Sequence, residues 1–141
     1  LESVVAHFRE EAKVEGKPFP DEGSAAFRTT RNRLLGLLVY RTELRAGAER
    51  LGVKVSPEQI SRRMGAADAE AKGTGEANTF ARDSIDAQLL TEGIFKKVTR
   101  GITAPTQPEL SARRNEAMAR YLARLKRETK VRYEPGYEPG S

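Results

Sequence analysis

The sequence predicts an all-α fold: an orthogonal, irregular array of about five helices around one long central helix, closed by a short C-terminal extended segment. Three observations predict it. Apolar residues recur at helical spacing in successive stretches separated by Gly and Pro. Helix-start chemistry stands where those stretches begin, most clearly in Ser56-Pro57-Glu58-Gln59. Aromatic residues make up only 6% of the chain, with no Trp, which suits Leu- and Ala-packed helices better than a β-sandwich.

With 141 residues the chain suits one domain, predicted over residues 1–133, followed by a flexible tail at 134–141. The apolar fraction is 38% and the charged fraction 32%, the balance of narrow helices that each bury one stripe. The first helix spans about residues 3–16, where Val4, Val5, Phe8 and Ala12 share a face and Gly16 ends it. Two prolines in Lys17-Pro18-Phe19-Pro20 then force a loop. The longest helix covers 24–51, with Ser24 as N-cap and Gly52 as its end. Its middle, Leu34-Leu35-Gly36-Leu37-Leu38-Val39-Tyr40, is apolar all round, so it is expected to be buried on every side and to form the hub of the fold.

A third helix starts at the Ser56 capping box. Its later course passes into an Ala- and Gly-rich stretch at 66–76, expected to fray into a mobile loop around Gly73-Thr74-Gly75. Phe80 is placed in a short turn. The fourth helix is expected over 83–98, on Ile85, Leu89, Leu90, Ile94, Phe95 and Val98, and Gly101 closes it. After the linker Thr103-Ala104-Pro105-Thr106-Gln107-Pro108 the last helix runs over 109–128, with Ala117, Met118, Tyr121, Leu122 and Leu125 on one face. Thr129, Val131 and Tyr133 then alternate with Lys130 and Arg132, the period of a short strand. Beyond them Tyr-Glu-Pro-Gly occurs twice in succession.

Chemistry-bearing residues are scarce. There is no Cys, and His7 is the lone His, so disulfides, thiolate ligands and Cys nucleophiles are excluded and a transition-metal site or a Ser-His-Asp triad lacks its parts. Glu10-Glu11 and Asp68 with Glu70 are acidic pairs of the kind that solvate helix surfaces. Gly73-Thr74-Gly75 has neither the Lys-Ser/Thr nor the preceding strand of a phosphate loop. No enzyme and no cofactor is expected. The longest apolar run, residues 34–40, is far too short to span a bilayer.

The net charge of +5 comes from 25 basic and 20 acidic residues. Arg28, Arg31, Arg33, Arg41 and Arg45 lie along the long helix. Arg113, Arg114, Arg120, Arg124, Lys126, Arg127, Lys130 and Arg132 lie along and after the last. Such faces can meet phosphates, so nucleic-acid binding is one alternative. Interleaved Glu43, Glu49, Glu116 and Glu128 point instead to solvated helix surface.

The order of these pieces resembles the SurA-type N-terminal chaperone domain of bacterial extracytoplasmic foldases. The opening helix with Gly16-Lys17-Pro18-Phe19-Pro20 is similar to the start of that domain. Residues 34–51, with Leu-Val-Tyr-Arg-Thr-Glu-Leu at their centre, look like its long second helix. Leu51-Gly52-Val53-Lys54-Val55-Ser56-Pro57-Glu58-Gln59-Ile60 resembles the connection that follows. Residues 83–99, with Gln88-Leu89-Leu90 and Lys97-Val98-Thr99, are similar to the helix that leads to the family's isomerase domain. Two departures stand out. Residues 101–108 run straight into the last helix, where the family commonly inserts a parvulin-type peptidyl-prolyl isomerase. That helix, with Asn115-Glu116-Ala117, Tyr121-Leu122 and Lys130-Val131-Arg132-Tyr133, looks like the segment that packs back on the chaperone module. The stretch 65–79 is also shorter and richer in Gly and Ala.

The resemblance implies an extracytoplasmic module (periplasm or cell envelope) whose export signal has been removed. It would hold unfolded or secreted client polypeptides on an apolar cradle, without isomerase activity. A cradle needs apolar side chains beyond what a thin core holds. The candidates are Phe19, Phe80, Phe95, Met118 and Tyr121, although for any one of them plain core is the simpler reading. A scaffold protein that keeps the same fold as an assembly partner is the other alternative.

Overall fold

The computed structural model describes the backbone of residues 1–70 and 75–137 and the side chains of 1–65 and 79–137. The loop expected around Gly73-Thr74-Gly75 and the end of the tail, 138–141, lie outside the described residues. The fold is all-α, with five helices: α1 Glu2–Val14, α2 Ala25–Leu51, α3 Pro57–Glu70, α4 Gly75–Val98 and α5 Gln107–Glu128.

The local chemistry explains the boundaries. Ser24 has extended backbone, and its hydroxyl accepts from the Phe27 amide, which caps α2. At the other end Gly52 takes a left-handed conformation (φ 70°, ψ 23°), the Gly52 amide bonds the Glu49 carbonyl and the Val53 amide bonds that of Ala48. These two bonds turn the chain sharply out of α2. The capping box is present: the Ser56 hydroxyl accepts from the Gln59 amide at 3.2 Å, and Gln59 Oε1 accepts from the Ser56 amide at 2.8 Å. α3 is broken at Gly65 (φ 74°, ψ 167°). Thr106 caps α5, with Pro108 in its first turn.

α4 is the element that ties the array together. It packs against α1, α2, α3 and α5, while α2 also meets α1 and α5. The core lies where α2, α4 and α5 cross: Leu44 and Ile94 are fully buried, with Ala48, Leu90 and Met118 beside them. Leu51, Val53, Val55, Phe95, Val98, Tyr121 and Leu122 pack around this cluster. On the far side Arg63 of α3 grips Glu92 of α4 with two hydrogen bonds of 2.9 and 3.0 Å. Arg82 of α4 reaches back to the Ser61 hydroxyl and the Pro57 carbonyl.

Three expectations are corrected. The all-apolar middle of α2 is not buried on every side: of residues 34–40 only Leu34 is buried, and Tyr40 is 39% exposed. The core sits one to three turns further along, because α4 and α5 pack on the second half of α2. The Phe80 turn is part of α4, which begins at Gly75 rather than near 83. Phe80 is held there by His7, whose ring stacks on it at 4.5 Å, and by Phe8, edge-on at 5.1 Å. Finally, residues 129–133 form no strand. Thr129 has extended backbone, but the neighbours of this segment are helices, so no ladder forms.

Candidate peptide-binding grooves

The five candidate side chains do not converge on one surface. Phe19 lies on the α1–α2 loop, edge-on to Phe27 at 6.4 Å and beneath the Arg9 guanidinium. Phe80 belongs to the His7–Phe8 cluster, with the Arg41 guanidinium 5.1 Å from its ring. Arg41 is itself buried, and it donates to the Ser84 hydroxyl at 2.8 Å. Met118 is a buried core residue and Phe95 packs against that core. Tyr121 alone both touches the core and opens onto a groove.

That groove has a volume of about 700 Å³. Its floor is Leu51 of α2, Val98 of α4, and Ala117 and Tyr121 of α5; its rim is Ala123 with Arg120, Arg124 and Arg127. The rim follows from helical spacing, since 120, 124 and 127 fall on one side of α5. Arg120 pairs with Glu116 at 2.5 Å. The Arg124 guanidinium lies 5.5 Å from the Tyr121 ring and its Nε is 4.0 Å from Glu128 Oε1, while Arg127 has no ion-pair or hydrogen-bond partner among the described residues. Burial pushes the Tyr121 hydroxyl above its ordinary pKa, with Arg124 and Arg50 pulling against it. The groove is thus an apolar floor beneath a cationic edge.

A second surface, of mixed polarity, lies on the partly exposed middle of α2, where Glu2, Thr42 and Arg132 border apolar side chains. Leu35, Leu38 and Val39 face Leu1 of the N-terminus and Val131, Tyr133 and Tyr137 of the C-terminal segment across a cavity of about 380 Å³. Here the chain ends meet: the Tyr137 hydroxyl donates to the Glu2 carboxylate at 2.7 Å. Arg31 Nη2 donates to the Gly136 carbonyl at 2.7 Å, with its guanidinium 4.9 Å from the Tyr137 ring. The hydrogen bond to Glu2 raises the Tyr137 pKa.

Sequence reasoning missed this second surface, because it assigned residues 34–40 to the interior and treated 134–141 as a free tail. The signal was present in the doubled Tyr-Glu-Pro-Gly, which combines a turn with an aromatic anchor. The arginines rimming the first groove were visible, but their relation to Leu51 and Val98 is a tertiary fact. Among the described residues no helix is long and apolar enough to cross a membrane. No protein family, no curated protein and no solved structure matches this chain.

Proposed function

We propose that this chain is a chaperone-like module that binds unfolded or partly folded polypeptide segments outside the cytoplasm, without isomerase activity. The observation that carries it is the groove of about 700 Å³ over Leu51, Val98, Ala117 and Tyr121. An open apolar floor is costly to leave wet and suits apolar segments of another chain, while the arginine edge keeps the surface soluble and holds carboxylates or carbonyls loosely. The resemblance to the SurA-type chaperone domain supports the same function independently of the groove.

Nucleic-acid binding is less favoured, because several arginines of the two basic faces already carry counter-charges: Arg45 with Asp83 and Asp86, Arg120 with Glu116, and Arg124 with Glu128.

The test is binding of a fluorescent, permanently unfolded polypeptide, read by anisotropy. Wild-type protein binds it with modest salt dependence. Ala123→Glu, an exposed rim position that leaves the core untouched, weakens binding about tenfold, or roughly 1.4 kcal/mol. Unchanged binding in that variant would move the site elsewhere, and absence of binding by wild type would remove the function.

A further inference from the structure

We infer that the flank of α2 at Leu35, Leu38 and Val39 is a second polypeptide-binding site, one that takes extended segments carrying a tyrosine. Residues 131–137 of the chain itself occupy it as a displaceable resident. Three observations lead there.

The first is the occupant. Beyond Thr129 the chain leaves α5 in extended form and lies against α2 without joining any ladder. It ends in a turn: Pro135 and Gly136 (φ 86°) occupy the two central positions, and the Tyr137 amide bonds the Glu134 carbonyl at 3.0 Å. This turn aims Tyr137 at its clamp.

The second is how the occupant is recognised. Arg31 reads it twice, through the Gly136 carbonyl and through the face of the Tyr137 ring, and Glu2 reads the tyrosine hydroxyl. A backbone carbonyl, an aromatic face and a phenolic hydroxyl are features that any tyrosine-bearing segment can offer. They are not specific to this tail.

The third is how loosely it is held. The Arg31–Gly136 and Tyr137–Glu2 contacts are solvent-exposed, so water competes for each of them. Tyr137 also stands between two clefts, of about 380 Å³ over Leu35, Leu38 and Val39 and about 450 Å³ over Val5 and Phe27. Both open to solvent, so a segment that covers Leu35, Leu38 and Val39 more fully buries apolar surface that the resident leaves wet. The resident is thus held by a few exposed contacts together with its tether, whose effective concentration is on the order of millimolar. This site is distinct from the arginine-rimmed groove and does not depend on it.

The test uses the full chain and a fluorescein-labelled peptide with the sequence of residues 130–137, read by anisotropy, with circular dichroism confirming equal helix content in each variant. Wild type binds the peptide weakly, because its own tail competes. Tyr137→Ala frees the site and tightens peptide binding at least tenfold. Adding Arg31→Ala to Tyr137→Ala abolishes that gain. A peptide carrying Tyr137→Phe, which needs no change to the protein, binds the Tyr137→Ala chain several-fold more weakly than the parent peptide. Equal affinity of wild type and Tyr137→Ala, or a gain that survives loss of Arg31, overturns the site. A Phe peptide that binds as well as the Tyr peptide overturns the tyrosine assignment. Suppression of client aggregation is a separate readout, so the failure of this site and the failure of the chaperone function are told apart.

Discussion

Arg63 and Glu92 show how single side chains couple elements here. The paired hydrogen bonds from Arg63 hold the Glu92 carboxyl below its ordinary value of 4.5 and hold the guanidinium charged. Because the folded value of Glu92 is lowered, its contribution to stability is fully present above the ordinary carboxylate range. It is lost as pH falls through the lowered folded value. Both side chains are largely exposed, so solvent screens the effect. Arg63→Ala is expected to raise the Glu92 titration toward the ordinary carboxylate range in an NMR pH series, with Lys96 still holding it slightly down. The stability difference between variant and wild type then narrows as pH falls through the lowered folded value of Glu92. A Glu92 titration that does not move on loss of Arg63 would contradict the assignment.

At the scale of elements, two helical glycines have opposite roles. Gly36, on the exposed face of α2, has open space where a Cβ would stand. Gly93 in α4 faces Val53, whose Cγ1 would lie 2.5 Å from an added Cβ. Val53 is β-branched and stiff, and it is packed against the core, so it cannot swing away cheaply. Gly36→Ala should therefore stabilise the protein by about 0.5–1 kcal/mol. Gly93→Ala should destabilise it by about 1 kcal/mol, as overpacking of about 1–3 kcal/mol outweighs the gain in helix propensity. Thermal or urea denaturation measures both signs. The position of the core along α2 gives a second contrast. Leu44 is fully buried and Leu37 only partly. Leu44→Ala should cost about 2–5 kcal/mol. Leu37→Ala should cost about 1 kcal/mol, the loss of a partly buried side chain that leaves no closed cavity. Equal costs would restore the expectation that the apolar middle of α2 is the hub.

Viewed as a whole molecule, the helices were legible because their start and stop chemistry is local. Ser24, Gly52, the Ser56–Gln59 box and Thr106-Gln107-Pro108 act on the residues next to them. Which apolar surface is covered is not local. Residues 34–40 read as interior because seven successive apolar or small residues fit a helix buried all round. Whether they are covered depends on where α4 and α5 cross α2, and Leu44 and Ala48 take that crossing. The same limit applies to the site. Tyr121 was legible as a surplus apolar residue, but Met118, which is buried in the core, was indistinguishable from it by spacing alone. The Arg31–Tyr137–Glu2 clamp joins the two ends of the chain, and no periodicity reports such a meeting. What the assembled molecule offers is a small core with two grooves at its margins, one rimmed by arginine and one contacted by residues 131–137 of its own chain.

The most direct measurement of the central claim is light scattering from a chemically unfolded client diluted into buffer with and without this protein. The account predicts suppression of aggregation at near-stoichiometric ratios, diminished in Ala123→Glu, with no acceleration of X-Pro isomerisation in a peptide assay. Undiminished aggregation at several-fold molar excess of correctly folded protein would contradict it.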